Sequence, residues 1–317
     1  MSVSTTGATP LGWIANQPYL LLTLPSLFWA GNAIVGRAAA GHIPPFTLSF
    51  LRWALAFAVV LPFAWRALKQ DWPVIRAHLG FMMFLSLISI GLFNSLQYIG
   101  LQYTTALNSL LLQSAAPLFV AIWSLLILGI RLTAAQATGI LVSMIGVLVI
   151  LLHGNLATLA SIELNKGDLL FLTAMAIFGL YSVLVLKRPP MQQLSFLGFT
   201  FGCGALFLVP TFVWELLNRP HAEITGATFG SLIYVALFPS VLAYLCFNRG
   251  IRLIGANRSA PFFHLIPVFG SAMAIFLLGE QLHLFHVAGY ALVLCGIVVA
   301  ARKPKQPAVA VAEVPPT

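Results

Sequence analysis

The stretches "LLLQSAAPLF" (residues 110–119) and "PFFHLIPVFG" (residues 261–270) decide how this chain folds. Each is an apolar run with a proline inside it, Pro117 and Pro267, and the two prolines lie 150 positions apart in a chain of 317 residues. Proline has no N–H to donate, and its ring clashes with the preceding turn of a helix. In lipid no water takes over the freed carbonyl. A membrane helix therefore tolerates a proline only where neighbouring helices, polar side chains or a water-filled cavity supply a partner. Two such breakers at matching places imply one structural unit used twice.

The match extends on both sides without a gap. Between residues 98–151 and 248–301 it includes Gly100/Gly250, Ala106/Ala256, Ser109/Ser259, Phe119/Phe269, Gly129/Gly279, Gly139/Gly289 and Gly146/Gly296. Leucine identities are cheap in so apolar a chain, whereas Gly and Pro each answer a backbone need. Phe28/Phe178 share the offset earlier in each half, but there the repeat is faint.

Composition fixes the solvent. The chain is 60% hydrophobic and 7% charged, with mean hydropathy +0.97, where a soluble domain carries roughly 25% charged residues. Runs such as "FMMFLSLISIGLFNSLQYIGL" and "LVSMIGVLVILL" suit spans of about 20 residues. The expected fold is an all-α polytopic membrane protein, and the bilayer is its first partner. The formal charge of +9 does not point to nucleic acid, because the bases sit between apolar runs as orientation signals do. Cys203, Cys246 and Cys295 fall inside expected spans, which argues against a disulfide framework. Residues 1–17 contain no Lys or Arg, so they lack the basic region of a signal peptide and the first span stays in place.

Ten helices are expected, near residues 19–39, 46–66, 78–99, 104–127, 133–152, 167–187, 194–217, 228–248, 256–278 and 284–301. This divides the chain into a polar segment (1–18), a first five-helix unit (19–152), an inter-repeat loop (153–166), a second five-helix unit (167–301) and a disordered Pro-rich tail (302–317). With both termini cytoplasmic, the inner loops hold Arg66, Lys69, Arg76, Arg131, Lys187, Arg188, Arg249, Arg252, Arg258, Arg302, Lys303 and Lys305. The outer segments hold only Arg37, Lys166 and Arg219, and Arg52 lies within a span. Such a bias obeys the positive-inside rule for a protein of the cytoplasmic (inner) membrane. Five is odd, so the second unit enters the bilayer upside down relative to the first, as in many secondary transporters. "LGIRL" (128–132) and its counterpart "LGEQL" (278–282) then face opposite sides, one with Arg131 and the other with Glu280.

Several segments together resemble the EamA-type drug/metabolite transporters. They are "FWAGNAIVGR" (28–37), "FLRWALA" (50–56), "TTALNSLLLQSAAPLFVAI" (104–122) and "GANRSAPFFHLIPVFGSAMAIFLLGEQL" (255–282), with the Gly pairs of the fifth and tenth helices. The resemblance covers residues 19–301. It implies ten helices in two inverted five-helix repeats and export of small metabolites through a central cavity. Within that superfamily the chain is similar to the bacterial aromatic amino acid exporters of the YddG type. One departure is visible: the first repeat's usual "GE" turn reads Gly129-Ile130.

Polar side chains in mid-span are costly in lipid and turn toward the bundle interior. The candidate cavity residues are Trp29, Asn32, Asn94, Gln97, Tyr98, Gln113, Ser114, Tyr181, Ser182, Tyr244, Asn248 and His264, with Ser240 beside them. Pro117 and Pro267 are expected to kink two helices flanking the cavity, as gates or as packing features. His264 either meets the solute or is a structurally bonded histidine. Arg52 either snorkels to the outer headgroups or serves as a gate or carboxylate contact.

The acids Asp71, Glu163, Asp168, Glu215, Glu223, Glu280 and Glu313 all fall near span ends or outside them. A site of aromatic faces and amides suits a neutral or zwitterionic solute, whereas exporters of organic cations ordinarily need an intramembrane carboxylate. Catalysis is not expected: the spans contain no HExxH, GxSxG or Asp pair. No metal or other cofactor is expected either. A multidrug or organic-cation exporter and a passive channel are the alternatives, and the sequence is silent on oligomeric state.

Overall fold

The structure, a computed structural model, describes residues 14–39, 42–104, 109, 112–155, 165–219, 225–278 and 281–302. The expected tail, most of the inter-repeat loop and Glu280 lie outside the described residues. The chain forms α1 (Pro18–Ala39), α2 (Pro45–Ala77), α3 (Leu79–Tyr103), α4 (Ala116–Leu128) and α5 (Ala134–Leu151). There follow α6 (Lys166–Leu184), α7 (Gln193–Asn218), α8 (Gly226–Ile254), α9 (Leu265–Leu278) and α10 (Leu284–Ala301). Among the described residues, 8 helices are long and apolar enough to cross a membrane; α4 is apolar but shorter. Large apolar side chains such as Phe63, Leu206, Leu217 and Val298 stand on the outer surface. Water would penalise that surface and acyl chains do not. This is an all-α polytopic membrane protein.

Local sequence explains the helix ends. Thr133 and Gln136 close a capping box at the start of α5, and Asn165 and Asp168 do the same for α6. Gly129 ends α4 at φ 68°, a left-handed position where a β-carbon is penalised. This conformation lets the Ile130 N–H return to the Ser124 carbonyl at 3.1 Å. α2 differs from expectation. It continues to Ala77 as a 33-residue helix, about 50 Å long, so its last turns run past a hydrocarbon core of about 30 Å.

The two prolines act differently from the expected kinks. The helix containing residues 112–113 stops in a turn at 114–115, and α4 begins afresh at Ala116 with Pro117 in its first turn. Pro267 likewise follows a short helix (Ala256–Ser259) and a 3-10 turn (Ala260–His264), in the first turn of α9. A first-turn residue has no intrahelical acceptor for its N–H, so proline there forfeits no bond. The breaker costs little because the helix is already broken.

The 150-residue offset recurs in the backbone. α4 and α9 end at Leu128 and Leu278, while α5 and α10 span Ala134–Leu151 and Leu284–Ala301. Both α3 and α8 contain a π-helical turn, at Leu87–Leu92 and at Leu237–Leu242, again 150 apart. Nothing in "LISIGL" and "LFPSVL" beyond the terminal leucines reveals the second pair.

Packing exchanges the halves. α3 and α4 pack on α6, and their counterparts α8 and α9 pack on α1; α2 pairs with α7 and α5 with α10. Glycine makes the closest of these contacts possible. A β-carbon added at Gly139 would lie 2.5 Å from the Gly296 carbonyl, and one at Gly146 would lie 2.7 Å from that of Gly289. Because 139 pairs with 296 and 146 with 289, α5 and α10 run antiparallel. Gly100 and Gly167 join α3 to α6 in the same way, and Leu22 fills the space at Gly250 between α1 and α8.

Candidate functional site

Between the two three-helix groups, α1/α8/α9 and α3/α4/α6, lies a small internal cavity. Its lining is Trp29 and Asn32 of α1, Arg52 of α2, Phe93, Asn94 and Gln97 of α3, Gln113 just before α4, Met175 and Phe178 of α6, and Phe263 and Ile266 of the α9 region. The free volume is about 20 Å³, room for a single water. In this conformation the bundle is closed around it.

One wall is aromatic. Trp29 stacks on Phe263 (centroids 5.5 Å, interplanar 6°) and meets Phe178 and Phe247 edge-on at 5.6 and 5.2 Å. Phe178 touches Phe263 and Phe247 at 5.4 Å each. The opposite wall is polar. Gln97 and Gln113 line it, and among the described residues neither they nor the buried Asn94 Oδ1 have a hydrogen-bond partner.

The π-helical turns build this wall. A π turn leaves a carbonyl outside the regular ladder, and here the freed carbonyls are Ser89 and Pro239, equivalent positions 150 apart. The Ser89 carbonyl accepts from Asn94 Nδ2 (3.0 Å) and from Tyr244 Oη (3.1 Å). The Pro239 carbonyl accepts from Trp29 Nε1 (3.1 Å) and from Arg52 Nη2 (3.2 Å).

Arg52 is 2% exposed, so it does not snorkel. Its Nε donates to Ser240 Oγ at 2.6 Å, and its Nη1 to Tyr98 Oη at 2.7 Å and Asn32 Oδ1 at 3.2 Å. With Pro239 these are four neutral acceptors for five N–H groups. One Nη2 hydrogen is uncommitted, and the positive charge at the cavity wall has no carboxylate partner among the described residues. The three described acids are used at helix ends. Asp71 accepts from the Gln192 N–H before α7, Glu215 from the Thr47 N–H in the first turn of α2, and Asp168 from Thr104 Oγ1 beside its own capping box.

Of the residues expected from sequence, Trp29, Asn32, Arg52, Asn94, Gln97 and Gln113 come together on this cavity. Tyr98 sits behind Arg52 and donates to Asn32 Oδ1 at 3.1 Å. Tyr244 packs among Trp53, Phe201 and Tyr181. Tyr181 donates to Asn248 Oδ1 at 2.9 Å, away from the cavity. Ser182 bonds its own helix at the Phe178 carbonyl, and the Ser114 carbonyl accepts from His264. His264 is fully buried between the Ser114 carbonyl and Ser143 Oγ, tying the 3-10 turn before α9 to α5. Its Nε2 faces a carbonyl and so carries the proton, which leaves Nδ1 to accept from Ser143. Pro117 and Pro267 do not line the cavity. Sequence reasoning missed Phe93, Met175, Phe178, Phe263 and Ile266, since apolar residues in an apolar helix carry no signal of which face they occupy. Phe178 alone had one, its match with Phe28.

The model of the EamA-like transporter family matches residues 16–152 and again residues 165–302. An uncharacterized transporter of Bacillus subtilis, YyaM, is 30% identical over 89% of this chain and 92% of its own. A Salmonella typhimurium protein named "Probable amino-acid metabolite efflux pump" is 26% identical over 90% of this chain and 95% of its own. A crystal structure with 18% sequence identity superposes with a TM-score of 0.69, covering 89% of this chain and 96% of that one, a likeness of fold.

Proposed function

From the chain's membership of the EamA-like transporter family, whose members carry small molecules across membranes and are not enzymes, we propose that it exports zwitterionic metabolites with an apolar side chain, foremost aromatic amino acids. The carrying observation is the polarity of the cavity. It sets an unneutralised arginine and open amides opposite an aromatic wall, and no carboxylate lines it among the described residues. Arg52 would take the solute's carboxylate, the open oxygens of Asn94, Gln97 and Gln113 its ammonium group, and Trp29, Phe178 and Phe263 its ring. An organic cation would find no counter-charge in such a pocket. The similarity to the Salmonella protein named as an amino-acid metabolite efflux pump supports the same solute class.

The mechanism we infer is alternating access in the inner membrane, with ten crossings, two inverted five-helix units and both termini cytoplasmic. Glycine contacts make each three-helix group stiff, with backbones in touch at Gly100/Gly167 and Gly179/Phe119 in one and the Leu22 side chain seated against Gly250 in the other. The cavity lies on the seam between the groups, which side chains bridge, as Tyr244 and His264 do to the Ser89 and Ser114 carbonyls. Rocking along that seam widens the 20 Å³ space for solute from one side and then the other. Pro117 and Pro267 serve as built-in breaks beside the seam.

The test is counterflow in proteoliposomes with the twenty amino acids and a few organic cations. Saturable exchange of phenylalanine, tyrosine or tryptophan is expected. Exchange confined to organic cations would refute the reading, as would non-saturable leakage of every solute, the behaviour of a pore.

A further inference from the structure

Where α6 ends, a second buried arginine has no carboxylate partner among the described residues. Arg188 follows the 3-10 turn Val185–Lys187 that ends α6, and only 9% of it is exposed. Its Nη2 donates to Gln193 Oε1 at 2.9 Å and its guanidinium lies over the Phe196 ring at 4.4 Å, but Nη1 is buried without a hydrogen-bond partner among the described residues. Gln193 Nε2 in turn reaches the Leu245 carbonyl of α8 at 3.5 Å. One turn further along α8, Asn248 is fully buried. Its oxygen accepts from Tyr181, and its Nδ2 has no acceptor among the described residues. Asp71 reaches this same loop, where it accepts from the Gln192 N–H at 2.8 Å and not from Arg188. Burial, reinforced by the charge of Arg252, holds the Arg188 guanidinium down to about 10, as expected of a cation without a counter-ion.

A buried donor left unmade costs about 1–3 kcal/mol, and more when it is charged. Here there are two such groups, one from a guanidinium and one from an amide: Gln193 ties Arg188 to the Leu245 carbonyl one turn from Asn248, and Arg188 lies within electrostatic reach of the Tyr181 hydroxyl that bonds Asn248. Both are donors, so the missing group is an acceptor, and beside a guanidinium the acceptor of choice is an anion of carboxylate shape. The arrangement repeats the chemistry of the cavity wall, where Arg52 is grouped with Tyr98 and Asn32. The difference is that four of the five Arg52 N–H groups already have neutral acceptors, whereas Arg188 Nη1 and Asn248 Nδ2 have none among the described residues.

We propose that Arg188 and Asn248 form a second carboxylate-binding site on the cytoplasmic side, which receives the solute before it moves past Phe178 and Phe247 to Arg52. The inference rests on the transport reading above for its direction but not for its ligand chemistry. Tyr181 bridges the two stations, bonded to Asn248 and 5.7 Å from Phe178.

The test has two arms. In proteoliposomes of fixed orientation, Arg188→Gln should raise the half-saturating phenylalanine concentration at the cytoplasmic face by about tenfold or more, the worth of a charged hydrogen bond. It should leave the outer face unchanged, and Arg188→Lys should fall between. An equal rise at both faces, or none at either, overturns the site. The second arm needs no transport. In a protein whose native cysteines are replaced by serine, a cysteine introduced by Met191→Cys in the α6–α7 loop is labelled with a maleimide. Benzoate should slow the labelling and benzamide should not, and adding Arg188→Gln should abolish the protection. Protection without amino acid transport keeps the site and discards the transport reading. Transport without protection discards the site, as does equal protection by benzamide.

Discussion

Replacing Arg52 by methionine tests whether this arginine binds solute or supports the fold. The structure allows the stability side to be worked partner by partner. Without Arg52, Ser240 Oγ still donates to the Val235 carbonyl at 2.7 Å, Tyr98 still donates to Asn32 at 3.1 Å, and the Pro239 carbonyl still accepts from Trp29 at 3.1 Å. No neutral partner is stranded, and the desolvation cost of a buried cation disappears. The melting temperature of the solubilised Arg52→Met protein should therefore stay level or rise. Transport should behave otherwise. A hydrogen bond to a charged group is worth about 1.5–3 kcal/mol, so the half-saturating concentration of phenylalanine should rise roughly 10- to 150-fold. Phenylalaninamide, which lacks the carboxylate, should lose no affinity through the substitution. Arg52→Lys keeps the charge but cannot hold four acceptors with a planar fork, so it should lie between. The assay is counterflow in proteoliposomes beside a thermal melt of the same preparation. A sharp fall in melting temperature with phenylalanine affinity intact would refute the reasoning, because Arg52 would then hold the helices and not the solute.

Three further outcomes are expected. Gln97→Leu and Gln113→Leu remove amides that bond nothing in the closed protein, so stability should hold while phenylalanine affinity drops about 2- to 10-fold for each, the worth of a neutral hydrogen bond, as read from counterflow. Gly146→Val drives a side chain against the backbone of α10 and should cost about 1–3 kcal/mol or more, seen as a lower melting temperature. Gly230→Ala, with open space around it, should melt as the parent does. Cysteines introduced by Arg131→Cys and Gln281→Cys should react with impermeant reagents from opposite faces of the membrane; reaction from one face would end the inverted-repeat reading.

The main lines of the fold were legible because lipid imposes few options. Apolar runs must be helices, and the paired Gly139/Gly289 and Gly146/Gly296 mark where helix backbones touch. The polar half of the cavity, the candidate site, was legible, since Asn32, Arg52, Asn94, Gln97 and Gln113 are conspicuous in such surroundings. Its aromatic half was hidden. Phe93, Phe178 and Phe263 are three of 24 phenylalanines, and periodicity cannot separate a lipid-facing ring from a cavity-facing one when every face is apolar.

The sequence by itself determined that this chain lives in a bilayer, that its architecture is a unit used twice, and that its interior lacks a mid-span acid. These follow from composition and from residues whose backbone needs do not depend on neighbours. Tertiary structure alone decided which polar groups meet. His264 was withdrawn to a bond with Ser143, while Tyr181 and Asn248 were paired away from the cavity beside Arg188. The prolines were placed at helix starts, and two π turns released the Ser89 and Pro239 carbonyls. The reason is physical: a buried donor is satisfied by whatever acceptor the packing brings within about 3 Å, and that acceptor comes from another helix far along the chain.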